Sequence, residues 1–204
     1  MRFIDLHCDT AGRMLYENQG LRKNKFSVDI EKLKKGQSLA QVFAFFINAG
    51  EVEDLYLEFE IMYKNLINEF EKNKKYIEIV KNINELNEVE KQGKIGAFLS
   101  IEEGDVLGGN VENVQRVYDK GIRIITLTWN YKNKIGYPNY NYIYKDRGLE
   151  EKGFEIVSEM ERVGIIPDVS HLSDAGFYDL VRRCKKPFIA SHSNSRSIKK
   201  HPRN

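Results

Sequence analysis

The fold turns on Gly164-Ile165-Ile166-Pro167-Asp168-Val169-Ser170-His171-Leu172-Ser173. Before it, residues 148–163 set Leu149, Phe154, Ile156, Val157, Met160 and Val163 at helical spacing. Gly164 stands where a left-handed helix cap is wanted, and residues 165–169 form a short apolar run of β character. Residues 173–184 then return to helical spacing. Helix, cap, strand and helix in succession is the repeating unit of an α/β protein. Working outward, residues 3–6, 39–46, 95–100, 124–127 and 188–190 read as further strands, and 52–74, 83–92 and 111–120 as further helices. The strand runs carry almost no polar residues, as parallel strands covered on both faces require. Gly93 and Gly121 precede strands as Gly164 does, and Pro187 precedes the last one. Six strand units result, whereas a closed (β/α)8 barrel has eight and about 250 residues. The irregular stretch 131–146, rich in Asn and Tyr, follows a strand and is long enough to be a binding loop or a solvated insertion.

Composition narrows the function classes. The chain has 204 residues, 41% hydrophobic and 30% charged, enough apolar material for a core. Lys plus Arg number 32 against 30 for Asp plus Glu, so the net charge of +2 gives no broad electrostatic case for nucleic acid or an anionic membrane as partner. No apolar run approaches the roughly 20 residues of a membrane span, and the first residues lack the pattern of a secretory signal. The expectation is a cytoplasmic protein. Two cysteines, Cys8 and Cys184, cannot form a disulfide framework or a paired-cysteine zinc motif, although a single bridge stays open.

Three of the four histidines follow predicted strands: His7, His171 and His192. In a parallel α/β fold the carboxyl ends of the strands share one face, where sites are built. His7 and Asp9 are two apart, so in extended backbone their side chains point the same way and can grip one cation. Glu102 follows the strand 95–100. The candidate metal ligands are therefore His7, Asp9, Glu102, His171 and His192. Five are too many for one tetrahedral zinc and suit two metals sharing a carboxylate. Glu103 reads better as an acid at a helix amino terminus, and Cys8 as a small buried residue.

Asp5-Leu6-His7-Cys8-Asp9-Thr10, Leu99-Ser100-Ile101-Glu102, Leu127-Thr128-Trp129-Asn130, Asp168-Val169-Ser170-His171-Leu172-Ser173 and Ala190-Ser191-His192-Ser193-Asn194 together resemble the ordered signatures of the renal (membrane) dipeptidase family. The resemblance runs from residue 3 to residue 204 and implies a (β/α)8 TIM-type barrel with two Zn2+ ions, hydrolysing dipeptides through a hydroxide held between the metals. Bacterial members often accept a D-residue at the carboxyl-terminal position. Carried over residue by residue, it implies that His7 and Asp9 hold one zinc, that His171 and His192 hold the other, and that Glu102 is the bridging, catalytic carboxylate. Arg203 matches the arginine that receives the substrate's free carboxylate, a task suited to its planar fork of donors. The family suggests a homodimer.

Two features depart from that pattern. Where the mammalian members have a histidine that steadies the tetrahedral intermediate, this sequence has Trp129, which donates one hydrogen bond but carries no charge. Trp129 is then a substrate-binding residue of altered function, or packing at the rim. In the family, moreover, two further strand units follow, the eighth bringing an aspartate near the bridging water. The expectation is one partial barrel domain over residues 1–204 with the last two units absent. Its end strands would lie unpaired and part of its core uncovered, so that it is a fragment or completes itself by association. The alternatives are another metal-dependent amidohydrolase on the same barrel, or a catalytically silent zinc-binding fragment.

Overall fold

A computed structural model describes residues 2–204 and resolves two compact units. The first comprises the chain up to Phe46 and Leu57–Ser100; the second comprises Ile47–Tyr56 and Ile101–Asn204.

In the first unit β1 (Phe3–Asp5) runs parallel to β2 (Ser38–Phe46), with Ile4 opposite Ala40 and Asp5 opposite Gln41. Two short helices lie between them, α1 (Thr10–Tyr16) and α2 (Ile30–Lys35). Helix α3 (Leu55–Lys72) leads to β3 (Ile77–Ile79), and α4 (Ile83–Lys91) leads to β4 (Ile95–Glu102), which pairs parallel with β3. Strand β2 is flanked by β1 and β4. Its Phe43 and Phe45 are fully buried, as are Phe59, Met62 and Leu66 of α3. Positions 59, 62, 66 and 70 form one face of a 3.6-residue helix. Phe45 meets Phe59 edge to face at 5.2 Å, and Phe43 meets Phe70 at 5.4 Å. Burying each such side chain contributes about 1.5–3 kcal/mol, which is what fixes the long helix to the strand. Strand β1 stands at the end of the strand order, with Phe3 and Ile4 each 43% exposed.

The second unit takes the last residues of β4 and a 3-10 turn (Gly104–Leu107), then α5 (Glu112–Asp119), β5 (Ile122–Thr126), α6 (Glu151–Val163), β6 (Ile166–Asp168) and α7 (Asp174–Arg183). Strands β5 and β6 are parallel, with Thr126 opposite Asp168. Gly164 does cap α6 in the left-handed region, at φ +96°, and its N–H bonds Met160. Ser173 caps α7 by accepting from the Gly176 N–H.

The sequence reading needs three corrections. Residues 188–190 do not extend into a strand; only Ile189 bridges to Asp168. The reason lies in the hydrogen bonding: Pro187 has no N–H, and the Ser191 N–H that would continue the ladder is taken by the Asp168 carboxylate at 2.9 Å. Strand β3 was not foreseen, because Ile77-Glu78-Ile79 is too short for alternation to register. Helices α1 and α2, of seven and six residues, are likewise too short to show a periodic face.

Candidate metal centre

In the first unit the segment after β1 is tied to β2 by the Ala44 N–H, which donates to the Cys8 carbonyl at 2.9 Å. Asp9 occupies the N-cap position of α1, yet its side chain caps nothing there. It turns to His7 instead, Oδ1 lying 3.0 Å from His7 Nε2. The two side chains do meet, although Asp9, at φ −87° and ψ 19°, is not extended as the spacing argument assumed. Cys8 is buried, and burial pushes its thiol up to about 12. Both cysteines are free.

In the second unit three donors converge. Glu102, at the end of β4, is buried, and its Oε1 lies 3.2 Å from His171 Nε2 and 3.6 Å from His192 Nε2. The two imidazole nitrogens are 3.0 Å apart. Ligand atoms held about 2.0–2.1 Å from a tetrahedral cation stand about 3.3 Å from one another, and these three atoms, 3.0–3.6 Å apart, are spaced so that they could hold one metal ion. Burial holds His171 below the ordinary imidazole range, which keeps the ring neutral with a lone pair to offer. His171 also sits at φ +69°, a left-handed conformation that a non-glycine residue adopts only where its surroundings enforce it. Here the carbonyl of His171 accepts from the Asn139 N–H at 2.7 Å and from the Thr128 hydroxyl at 3.2 Å, and these bonds hold the strained residue.

The remaining expected residues lie around this triad. Arg203 places Nη2 3.5 Å from His171 Nδ1. The Trp129 ring is 6.4 Å from the His171 ring and 5.9 Å from Tyr131. Glu103 is a clamp rather than a ligand: it is fully buried at φ +97° and accepts from the Asp105 N–H, the Trp129 N–H and Asn133 Nδ2. Burial raises its carboxyl to about 6. Asn133 went unread in the sequence, where it is one asparagine of many in the 131–146 stretch. Its role depends on four hydrogen bonds to residues spread from 103 to 136. Asp168 and Ser191 were visible as motif letters, but nothing in their spacing announced that they bond one another.

Among the described residues no helix is long and apolar enough to cross a membrane. An uncharacterised dipeptidase of Schizosaccharomyces pombe is 27% identical over 191 residues, covering 86% of this chain and 45% of its own length. The chain thus spans less than half of that relative. The crystal structure of dipeptidase AC, a metallopeptidase, superposes with a TM-score of 0.89 at 21% identity, covering all of this chain and 66% of that one. A metallopeptidase from Rhodobacter sphaeroides, liganded with a phosphinate mimic of the dipeptide L-Ala-D-Ala, gives 0.88 at 18% identity, covering all of this chain and 68% of its own. At such identities the likeness is one of fold: an α/β chain corresponding to part of the barrel of those proteins. The membrane dipeptidase (peptidase family M19) model matches residues 1–204, and the chain belongs to that family.

Proposed function

We propose that this chain is the metal-binding part of a metal-dependent dipeptidase. The observation that carries the reading is the separation of His171 Nε2, His192 Nε2 and Glu102 Oε1, at 3.0, 3.2 and 3.6 Å, in a chain of this family. His171 and His192 would hold one zinc and His7 and Asp9 a second, with Glu102 as a ligand to both. Zinc bound there would supply Lewis acidity, lowering the pKa of a water and polarising a peptide carbonyl. The chain's own groups orient the substrate. Arg203, beside His171, offers a fork of donors to the free carboxylate of a dipeptide. Trp129 supplies an apolar wall and one N–H donor near the same ring, but it cannot hold charge as a histidine there would. The relative crystallised with an L-Ala-D-Ala mimic makes L,D dipeptides the first substrates to try.

The test is zinc-dependent hydrolysis of L,L and L,D dipeptides, with Glu102→Gln as control. Turnover that is abolished by a chelator, restored by zinc and lost in Glu102→Gln supports the proposal. A folded chain that binds zinc and shows no turnover supports the silent-fragment alternative instead, and Glu102→Gln retaining two metals per chain refutes the shared carboxylate.

A further inference from the structure

Behind the triad lies a second polar cluster whose hydrogen bonds can be counted proton by proton. Asp168 is fully buried. Its Oδ1 accepts from the backbone N–H of Ser170 at 3.0 Å and of Ser191 at 2.9 Å, and its Oδ2 lies 2.6 Å from both the Thr126 and the Ser191 hydroxyls. Four donors converge, and an ionised carboxylate, having no proton to give, accepts from all of them. The single hydroxyl proton of Ser191 is therefore spent on Asp168. Ser191 Oγ also lies 2.8 Å from His192 Nδ1, and with its proton committed it can only accept there. His192 must then carry its proton on Nδ1, leaving the lone pair on Nε2, the atom that faces Glu102 and His171.

We propose that Asp168 and Ser191 are positioning residues that fix the His192 tautomer, presenting an unprotonated Nε2 before any metal arrives. The hydroxyl is an obligatory relay between carboxylate and imidazole, since Asp168 makes no direct bond to the ring among the contacts above. Backbone contacts hold the ring's carrier in place: the His192 N–H donates to Ser170 Oγ at 3.1 Å. This inference deepens the metal reading above, because it explains how a donor on an irregular segment rather than a strand is aimed. Groups that orient metal-binding histidines are commonly worth about 10–100-fold in metal affinity.

The tautomer can be read without metal or activity. Nitrogen-15 shifts of the histidine rings would be recorded on the metal-free 204-residue chain at about pH 8, above the ordinary imidazole range. The expected result is a protonated Nδ1 and a bare Nε2 at His192. Ser191→Ala should move His192 toward the Nε2–H form that free histidine favours, and weaken zinc binding, measured by chelator competition, by about 10–100-fold. Ser191→Thr, which keeps the hydroxyl, should restore both readouts. Asp168→Asn should also shift the tautomer, since its amide can donate to Ser191 and free the serine proton for His192. An Nε2–H tautomer in the unsubstituted chain overturns the proposal whatever the variants do. So does a Ser191→Ala chain with unchanged tautomer and unchanged zinc affinity. Failure of the unsubstituted chain to bind zinc refutes the metal reading instead, and the ring shifts still decide this one.

Discussion

Replacing Asn133 by alanine should unfasten the loop that carries Trp129. Asn133 Nδ2 donates to Glu103 Oε1 at 2.6 Å and to the Leu127 carbonyl at 2.8 Å, while its Oδ1 accepts from the N–H groups of Ile135 and Gly136 at 2.8 and 3.0 Å. All four partners lie in buried surroundings, so water cannot readily take the place of the amide. Leaving one buried polar group without a partner costs about 1–3 kcal/mol. Four bonds through one side chain share their relaxation and do not add, so we set the loss at about 3–4 kcal/mol rather than at the sum. Trp129 is the only tryptophan, and its backbone N–H donates to the same Glu103 carboxylate, so its fluorescence reports this region directly. For a urea slope of about 2 kcal/mol/M the midpoint should fall by about 1.5–2 M. The Asn133→Asp variant keeps the acceptor for Ile135 and Gly136 but sets a second carboxylate against Glu103, and should be at least as damaging. A midpoint shift below about 0.3 M for Asn133→Ala would refute the reasoning, since it would show that the buried partners had found others at no cost.

Two further outcomes follow from other parts of the molecule. Phe59→Ala removes the ring that Phe45 meets edge to face, in fully buried surroundings, and should cost about 3–5 kcal/mol by urea unfolding followed in the far ultraviolet; a loss under 1 kcal/mol would mean that the helix is not fastened there. Arg196 makes two bonds to Asp174, at 2.7 and 2.9 Å, and this pairing holds the Asp174 carboxyl below its ordinary range. Because the folded value is depressed, the pair's contribution is present above the unfolded carboxyl value and is lost as pH falls through the folded one. Arg196→Gln should raise the Asp174 value in a carbon-13 NMR titration, with little change in stability because both side chains are substantially exposed to water. An unmoved titration would show that the arginine is not the cause.

How much of this was legible beforehand can be judged residue by residue. Alternating apolar strands and periodic helices gave the α/β class, and Gly164 marked the end of α6 because only a left-handed cap fits there. His7, Asp9, Glu102, His171 and His192 could be named as candidate ligands from their positions after predicted strands, and the structure brings the Glu102, His171 and His192 side chains to within 3.6 Å of one another. Short-range order in the chain carries that much, because helical and strand periods and capping preferences act over a few residues. What pairs across long separations was not readable. Glu103 and Glu102 are adjacent and chemically identical, yet one clamps Asn133, thirty positions away, and the other faces two imidazoles. Residues 188–190 looked like a strand by composition, and they fail to become one because a carboxylate twenty-three positions earlier takes the next backbone N–H. The Asp168, Ser191 and His192 relay exists only once β6 and that segment lie side by side. Local sequence fixed which residues could do chemistry. The tertiary structure decided which of them meet, because hydrogen bonds between distant residues depend on separations of a few tenths of an ångström that no local pattern encodes.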